Sequence, residues 1–204
     1  HFGSGVKLSG CEEIANKFIE LTKLPFFLTH NSYDLFPTNH ELNFGFPGIF
    51  GHRYSNYIVQ NCDLFIGFGT RLSLAQTGYD TNKFAKKAFK IQIDIDESEL
   101  TRNTLNLDLI FCGDVGAILK EMVRITLQQK LDLQTSYTRV WIEKCKIVRE
   151  KFDVINDHSK DDVDGVNPYF LIREISNYLN GKDHVFTDMG TSYQTTYQAI
   201  KLPA

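Results

Sequence analysis

Short apolar runs alternate along this chain with longer amphipathic stretches, and no other feature limits the possible folds so strongly. Such an order is how strand-helix-strand units read when parallel strands are buried on both faces. Glu12 to Leu21 places Ile14, Ala15, Phe18, Ile19 and Leu21 on one helical stripe, and Pro25-Phe26-Phe27-Leu28-Thr29 reads as the strand after it. Asn31 to Arg53 carries Pro37, Gly45, Pro47, Gly48 and Gly51 and reads as too polar and broken for regular structure; a helix is expected over Ser55 to Gln60. Asp63 to Phe68 is the next strand, and it runs into Gly69-Thr70-Arg71 at its carboxyl end, where open α/β sheets place ligands. After a loop and a short basic segment from Lys83 to Lys87, Phe89 to Asp96 reads as a strand ending in two carboxylates. Leu107 to Cys112 is a last strand, and Gly113-Asp114 opens a helix from Val115 to about Gln129.

The pattern changes after Leu131. Trp141, Ile142, Cys145 and Val148 form a helical stripe amid charged residues, and the acidic tract Asp157 to Asp164 reads as an exposed linker. Asn167-Pro168 then starts a helix, Phe170 to Leu179 is amphipathic, and His184-Val185-Phe186-Thr187 reads as a strand. The fold class expected is therefore α/β, with a doubly wound, mainly parallel, Rossmann-like sheet over residues 1–130. A helix and linker follow over 131–164, and the first α-β unit of a second α/β domain over 165–204. Gly3-Ser4-Gly5 reads as the turn after a strand, so both ends of the 204-residue sequence are expected to be cut from a longer chain.

Bulk properties exclude several classes of function. The net charge is -3, and the 22 basic residues are scattered, so no nucleic-acid partner is expected. No apolar run approaches the roughly 20 residues that cross a bilayer, and His1-Phe2-Gly3-Ser4-Gly5 is no signal peptide, so a cytoplasmic protein without a membrane partner is expected. Cys11, Cys62, Cys112 and Cys145 lack C-x-x-C spacing and read as free thiols. His30, His40 and His52 are not spaced for a metal site, and no G-x-S-x-G elbow or other catalytic grouping is present.

Several segments have two readings each. Gly3-Ser4-Gly5 ahead of a helix either lets amides meet a phosphate or simply packs; the G-x-G-x-x-G spacing is not met, because position 8 is Leu. Gly48 and Gly51, close to His52 and Arg53, either line an extended ligand or belong to a connecting loop. Near Gly69, Arg71 either grips a phosphate, the reading slightly favoured, or pairs with a structural carboxylate. Asp94 and Asp96 either accept from a ribose or cap the helix that Glu97 begins, and Asp114 either meets an adenine edge or caps the helix after it.

Taken in order, Gly3-Ser4-Gly5, the loop from Phe36-Pro37 to Gly51, Asp63 to Arg71, Ile93-Asp94-Ile95-Asp96 with Glu99-Leu100, and Gly113-Asp114 resemble one known family. It is the central domain of thiamine-diphosphate-dependent enzymes of the acetolactate synthase type, and the resemblance covers about residues 1–125. It continues at Asn167-Pro168-Tyr169 and at Val185 to Gly190, which resemble the entry to that family's cofactor-binding domain. The resemblance implies an enzyme using thiamine diphosphate and Mg to decarboxylate a 2-oxo acid and ligate the resulting carbanion to a second carbonyl, a transferase or lyase acting as a homodimer or homotetramer. It also implies that Gly190, Thr191 and Ser192 approach the diphosphate, that the metal motif lies beyond Ala204, and that the activating glutamate sits in an amino-terminal domain. On that account these residues hold no catalytic group or metal ligand and are inactive alone. The family's central domain holds FAD, an ADP-like nucleotide or nothing. Gly48-Ile49-Phe50-Gly51 and His1-Phe2-Gly3 depart from the common FAD-associated versions. The rival reading is a non-catalytic nucleotide-binding module.

Overall fold

A computed structural model of the protein describes residues 1–102, 105–156 and 165–203. Helix α1 (Ser4–Leu8) and helix α2 (Glu12–Thr22) come first, the latter with Glu12 and Glu13 at its positive end and Lys23 closing it in the left-handed conformation, φ 50°. Helix α3 (Arg53–Asn61), strand β1 (Leu64–Phe68) and the short α4 (Leu74–Thr77) follow. Strand β2 (Phe89–Asp94), α5 (Glu97–Thr101), β3 (Leu109–Cys112) and α6 (Val115–Gln128) complete the alternating part. Helix α7 (Ser136–Lys151), α8 (Pro168–Ser176) and α9 (Thr191–Ala199) form the remainder.

The three strands are parallel in the order β1-β2-β3, with Phe68 beside Ile93 and Ile93 beside Phe111. On the other flank of β1 the sheet continues as single bridges: Phe2 pairs in parallel with both Phe68 and Leu28, and Phe26 with Asn43. Phe2 N donates to the Phe27 carbonyl at 2.9 Å, and Gly3 N donates to the Phe68 carbonyl at 2.9 Å. Residues 25–29 thus take the position expected of them, but as isolated bridges, because each of their neighbours offers only one or two paired residues.

Side chains alternate between the sheet's faces, which is what separates the core into two layers. Phe2, Phe26, Leu28, Phe68 and Ile93 meet Val6, Ala15, Phe18, Leu119 and Val123 from α1, α2 and α6 on one face. Phe27, Phe44 and Phe65 meet Tyr54, Ile58, Val59 and Cys145 from α3 and α7 on the other. Leu119 and Val6 are wholly buried, and each such aliphatic side chain contributes about 1.5–3 kcal/mol of transfer free energy. The loop expected to be polar contributes heavily to this packing, with Phe36, Phe44 and Phe46 all buried.

Helices α8 and α9 pack on each other and on that loop, where Tyr33, Phe46 and Ile200 are buried together with Tyr197 and Leu202 beside them. Thr38 and Leu202 exchange hydrogen bonds, the Leu202 amide donating to Thr38 Oγ1 at 2.8 Å. The expected strand over His184 to Thr187 is not formed: the backbone is irregular, and Phe186 is 91% exposed. Apolar alternation alone does not make a strand, since its amides and carbonyls need a neighbouring strand, and no strand pairs there among the described residues. The acidic tract 157–164 lies outside the described residues. Among the described residues no helix is long and apolar enough to cross a membrane.

Candidate functional site

The carboxyl ends of the parallel strands bring together Gly3-Ser4-Gly5, Gly69 to Arg71, Asp94 with Asp96, and Gly113-Asp114. The first two loops are pressed backbone to backbone. A Cβ added to Gly3 would stand 2.2 Å from the Gly69 carbonyl oxygen and 2.6 Å from Thr70 Cα; one added to Gly5 would stand 2.7 Å from Gly69 Cα. Gly69 itself turns with φ +55°. The three glycine amides here are already used: Gly3 N donates to Phe68 O, Gly5 N to Gly69 O at 3.0 Å, and Gly69 N to Ile93 O at 2.9 Å.

Gly48 and Gly51 behave alike. A Cβ on Gly48 would lie 2.2 Å from the Ala75 carbonyl and one on Gly51 2.5 Å from that of Phe46, while the Gly48 amide donates to Asn56 Oδ1 at 2.8 Å. These glycines fit the approach of the chain to itself, and with their amides spent they do not fit a pyrophosphate cradle.

The acidic candidates serve the ends of helices. Asp96 accepts from the Ser98 amide at 2.9 Å, and hydrogen bonds from the Ser98 hydroxyl and amide hold its pKa below the usual carboxylate value. Asp114 accepts from the Ala117 amide at 2.8 Å. Asp94, buried, accepts from the Asp96 amide at 3.1 Å. Arg71 donates from Nε to Glu99 Oε1 at 2.7 Å, while Arg102 Nη1 reaches Glu99 Oε2 at 2.7 Å. The hydrogen bonds and charge of Glu99 raise the Arg71 pKa further. Of its two readings, Arg71 therefore adopts the carboxylate pair, with its side chain otherwise 75% exposed. Sequence reasoning left out Arg102; its i,i+3 spacing from Glu99 was the available signal.

Gly190-Thr191-Ser192 are arranged differently. Gly190 sits at φ +86° with nothing within 4 Å of an added Cβ, and it leads into the exposed first turn of α9. Ser192 Oγ donates to the Asp188 carbonyl at 3.1 Å. One turn along, Tyr193 and Tyr197 rest on His30, with ring centroids 5.4 and 5.1 Å away. Among the described residues no group of three or more His, Cys, Asp or Glu is placed to hold a metal ion.

Residues 1–122 match the family model described as thiamine pyrophosphate enzyme, central domain. The chain belongs to that family. It is 30% identical over 198 residues to the probable acetolactate synthase large subunit of Methanococcus aeolicus, covering 92% of this chain and 32% of that protein. It is 33% identical over 153 residues to the probable acetolactate synthase large subunit of Methanocaldococcus jannaschii, covering 74% of this chain and 26% of that protein. With acetolactate synthase 3, chloroplastic, of Brassica napus the identity is 29% over 197 residues, 97% of this chain and 29% of the relative. The chain thus spans about a third or less of the length of these curated relatives, and it is acetolactate synthase-like in sequence.

Proposed function

We propose that this chain is the central domain, over residues 1–130, a helix and linker over 131–164, and the opening of the cofactor domain, over 165–204, of an acetolactate synthase-like enzyme. The parent uses thiamine diphosphate and Mg, decarboxylates a 2-oxo acid and ligates the product to a second carbonyl, as a homodimer or homotetramer. The observation that carries this reading is the central-domain match over residues 1–122 together with similarity to the acetolactate synthases that continues across 92% and 97% of the chain. The four cysteines are free, which fits a reducing, cytoplasmic setting.

Thiamine diphosphate, when bound, supplies the nucleophile and the electron sink for decarboxylation. The fit of this chain to it lies at α9. The open backbone at Gly190 leaves room for a diphosphate oxygen, and the first-turn amides of Thr191, Ser192 and Tyr193 point their partial positive charge out of the helix start. The packing of Tyr193 and Tyr197 on His30 would hold that turn in place.

The test is on the full-length protein. With thiamine diphosphate, Mg and pyruvate, release of carbon dioxide and formation of acetolactate are expected, and a protein lacking residues 165–204 should lose cofactor binding measured by calorimetry. Undiminished cofactor binding after that deletion would rule out the assignment of this segment.

A further inference from the structure

Between the loop after Tyr33, α7, α8 and the residues at the end of α9, the fold half-encloses a polar cavity of about 180 Å³. Three cations reach it from parts of the chain far apart in sequence: Arg149 on α7, Arg173 on α8 and Lys201 just past α9. Tyr33, Tyr54 and His52 complete the wall that matters here.

The charges do not balance. Arg173 Nη2 meets Asp153 Oδ1 at 3.2 Å, and its Nε donates to the Ala199 carbonyl at 2.8 Å. Arg149 uses Nη1 on the carbonyls of Glu41 and Asn43, at 3.1 and 2.9 Å, and lies over the Phe44 ring. Among the described residues neither Arg149 nor Lys201 has a carboxylate within ion-pair distance. His52 adds no charge, because burial pushes its pKa down to about 3, and burial keeps both tyrosine hydroxyls protonated and able to donate. Lys201 is an exposed residue at the rim of the cavity, where partial desolvation first, and then Arg173, press its ammonium downwards against the opposing pull of Asp153.

Three positive charges beside one carboxylate in a half-enclosed wall repel one another, and an anion between them relieves that cost. Arg149 and Arg173 each keep guanidinium donors free of the bonds above, in the fork that suits oxyanions. The net excess of two charges matches a dianion better than a monocarboxylate. At about 30 Å³ per water, the cavity has room for one tetrahedral oxyanion and a few waters, and it falls below the roughly 300 Å³ at which sites for larger organic ligands begin.

We propose that this cavity binds a small multivalent oxyanion of the phosphate class, held by Arg149, Arg173 and Lys201. Because its walls come from the loop, α7, α8 and the end of α9, occupancy clamps these segments together. The inference stands apart from the thiamine reading and survives if that reading fails.

The experiment titrates the full-length protein with inorganic phosphate at constant ionic strength, following the unfolding temperature and the heat of binding. A saturable rise in unfolding temperature is expected. Lys201→Met should weaken phosphate binding about ten-fold or more, as losing a charged hydrogen-bond partner does, while leaving the unfolding temperature without phosphate unchanged or raised. Lys201→Gln keeps a polar end and carries the same expectation should K201M not fold. Binding by the variants equal to the wild type, a rise that follows ionic strength whatever the salt, or pyruvate binding more tightly than phosphate would each overturn the proposal.

Discussion

The carboxyl edge of the sheet and the segment before α9 both carry glycines ahead of a helix, yet they differ in what surrounds them. At the edge, Gly3, Gly5 and Gly69 are filled by one another's backbone and their amides have internal acceptors. Before α9, Gly190 opens onto free space, with Phe186 and Met189 exposed at 91% and 84%. The same residue type thus occurs in two settings: in one place it lets two turns of the chain touch, in the other it faces open space.

The largest effect should come from the closed edge. Gly3→Ala drives a methyl group into the Gly69 carbonyl and Thr70, and since backbone must move, a loss of about 3 kcal/mol or more is expected in urea unfolding. A loss below about 1 kcal/mol would mean that this edge is as open as the other.

Acid should loosen the contact between the start of α3 and the end of α9, where His52 Nε2 lies 3.2 Å from the Gln198 carbonyl. The folded His52 stays neutral down to about 3 whereas the unfolded one takes a proton near 6.5, so the unfolded state binds more protons between those values. Stability then falls as pH drops through that window, by up to about 1.4 kcal/mol per unit from this residue. His52→Gln should flatten the slope measured between pH 6.5 and 4; an unchanged slope would remove His52 as its source.

Gly190→Ala meets no neighbour, so its stability cost is the strain of φ +86° alone, about 1–3 kcal/mol and confined to an exposed turn. In the full-length protein it should nonetheless weaken thiamine diphosphate binding, as read by calorimetry. Full affinity in G190A would count against a role for this turn in holding the diphosphate.

The smallest effect belongs to Asp114. Removing its cap by Asp114→Ala should cost about 1 kcal/mol, with most of it restored by Asp114→Asn, which keeps the acceptor oxygen for the Ala117 amide. Equal losses in both variants would point to a need for the charge rather than the cap.

Helices α2 and α7 were legible because each carries its own signal, whereas the short α4 fell in a stretch expected to be a loop. The stripe Ile14, Ala15, Phe18, Ile19 and Leu21 falls within α2, and Trp141, Ile142, Cys145 and Val148 fall within α7. Strands β1, β2 and β3 were found within two residues at either end, since their apolar runs are bounded by turns and charge. The segment over His184 to Thr187 misled because strand formation depends on a partner that composition does not reveal. The loop over Asn31 to Arg53 was underrated for the opposite reason: its glycines and prolines mark irregular backbone, but irregular backbone can still bury Phe36, Phe44 and Phe46. Of the candidate site, glycine positions could be read from the chain, whereas the atoms filling each one come from residues up to 67 positions away, as Thr70 against Gly3. Arg149, Arg173 and Lys201 give no local signal at all, being 24 and 28 residues apart.

The aromatic contact of α9 has a mechanical side. Tyr193 and Tyr197 meet one turn apart with tilted rings, 4.7 Å between centroids, and both bear on His30, which follows directly on Thr29, itself hydrogen-bonded to the Phe2 carbonyl. The start of α9 is therefore tied, within a single helical turn and through His30, to the backbone beside the sheet's first bridge.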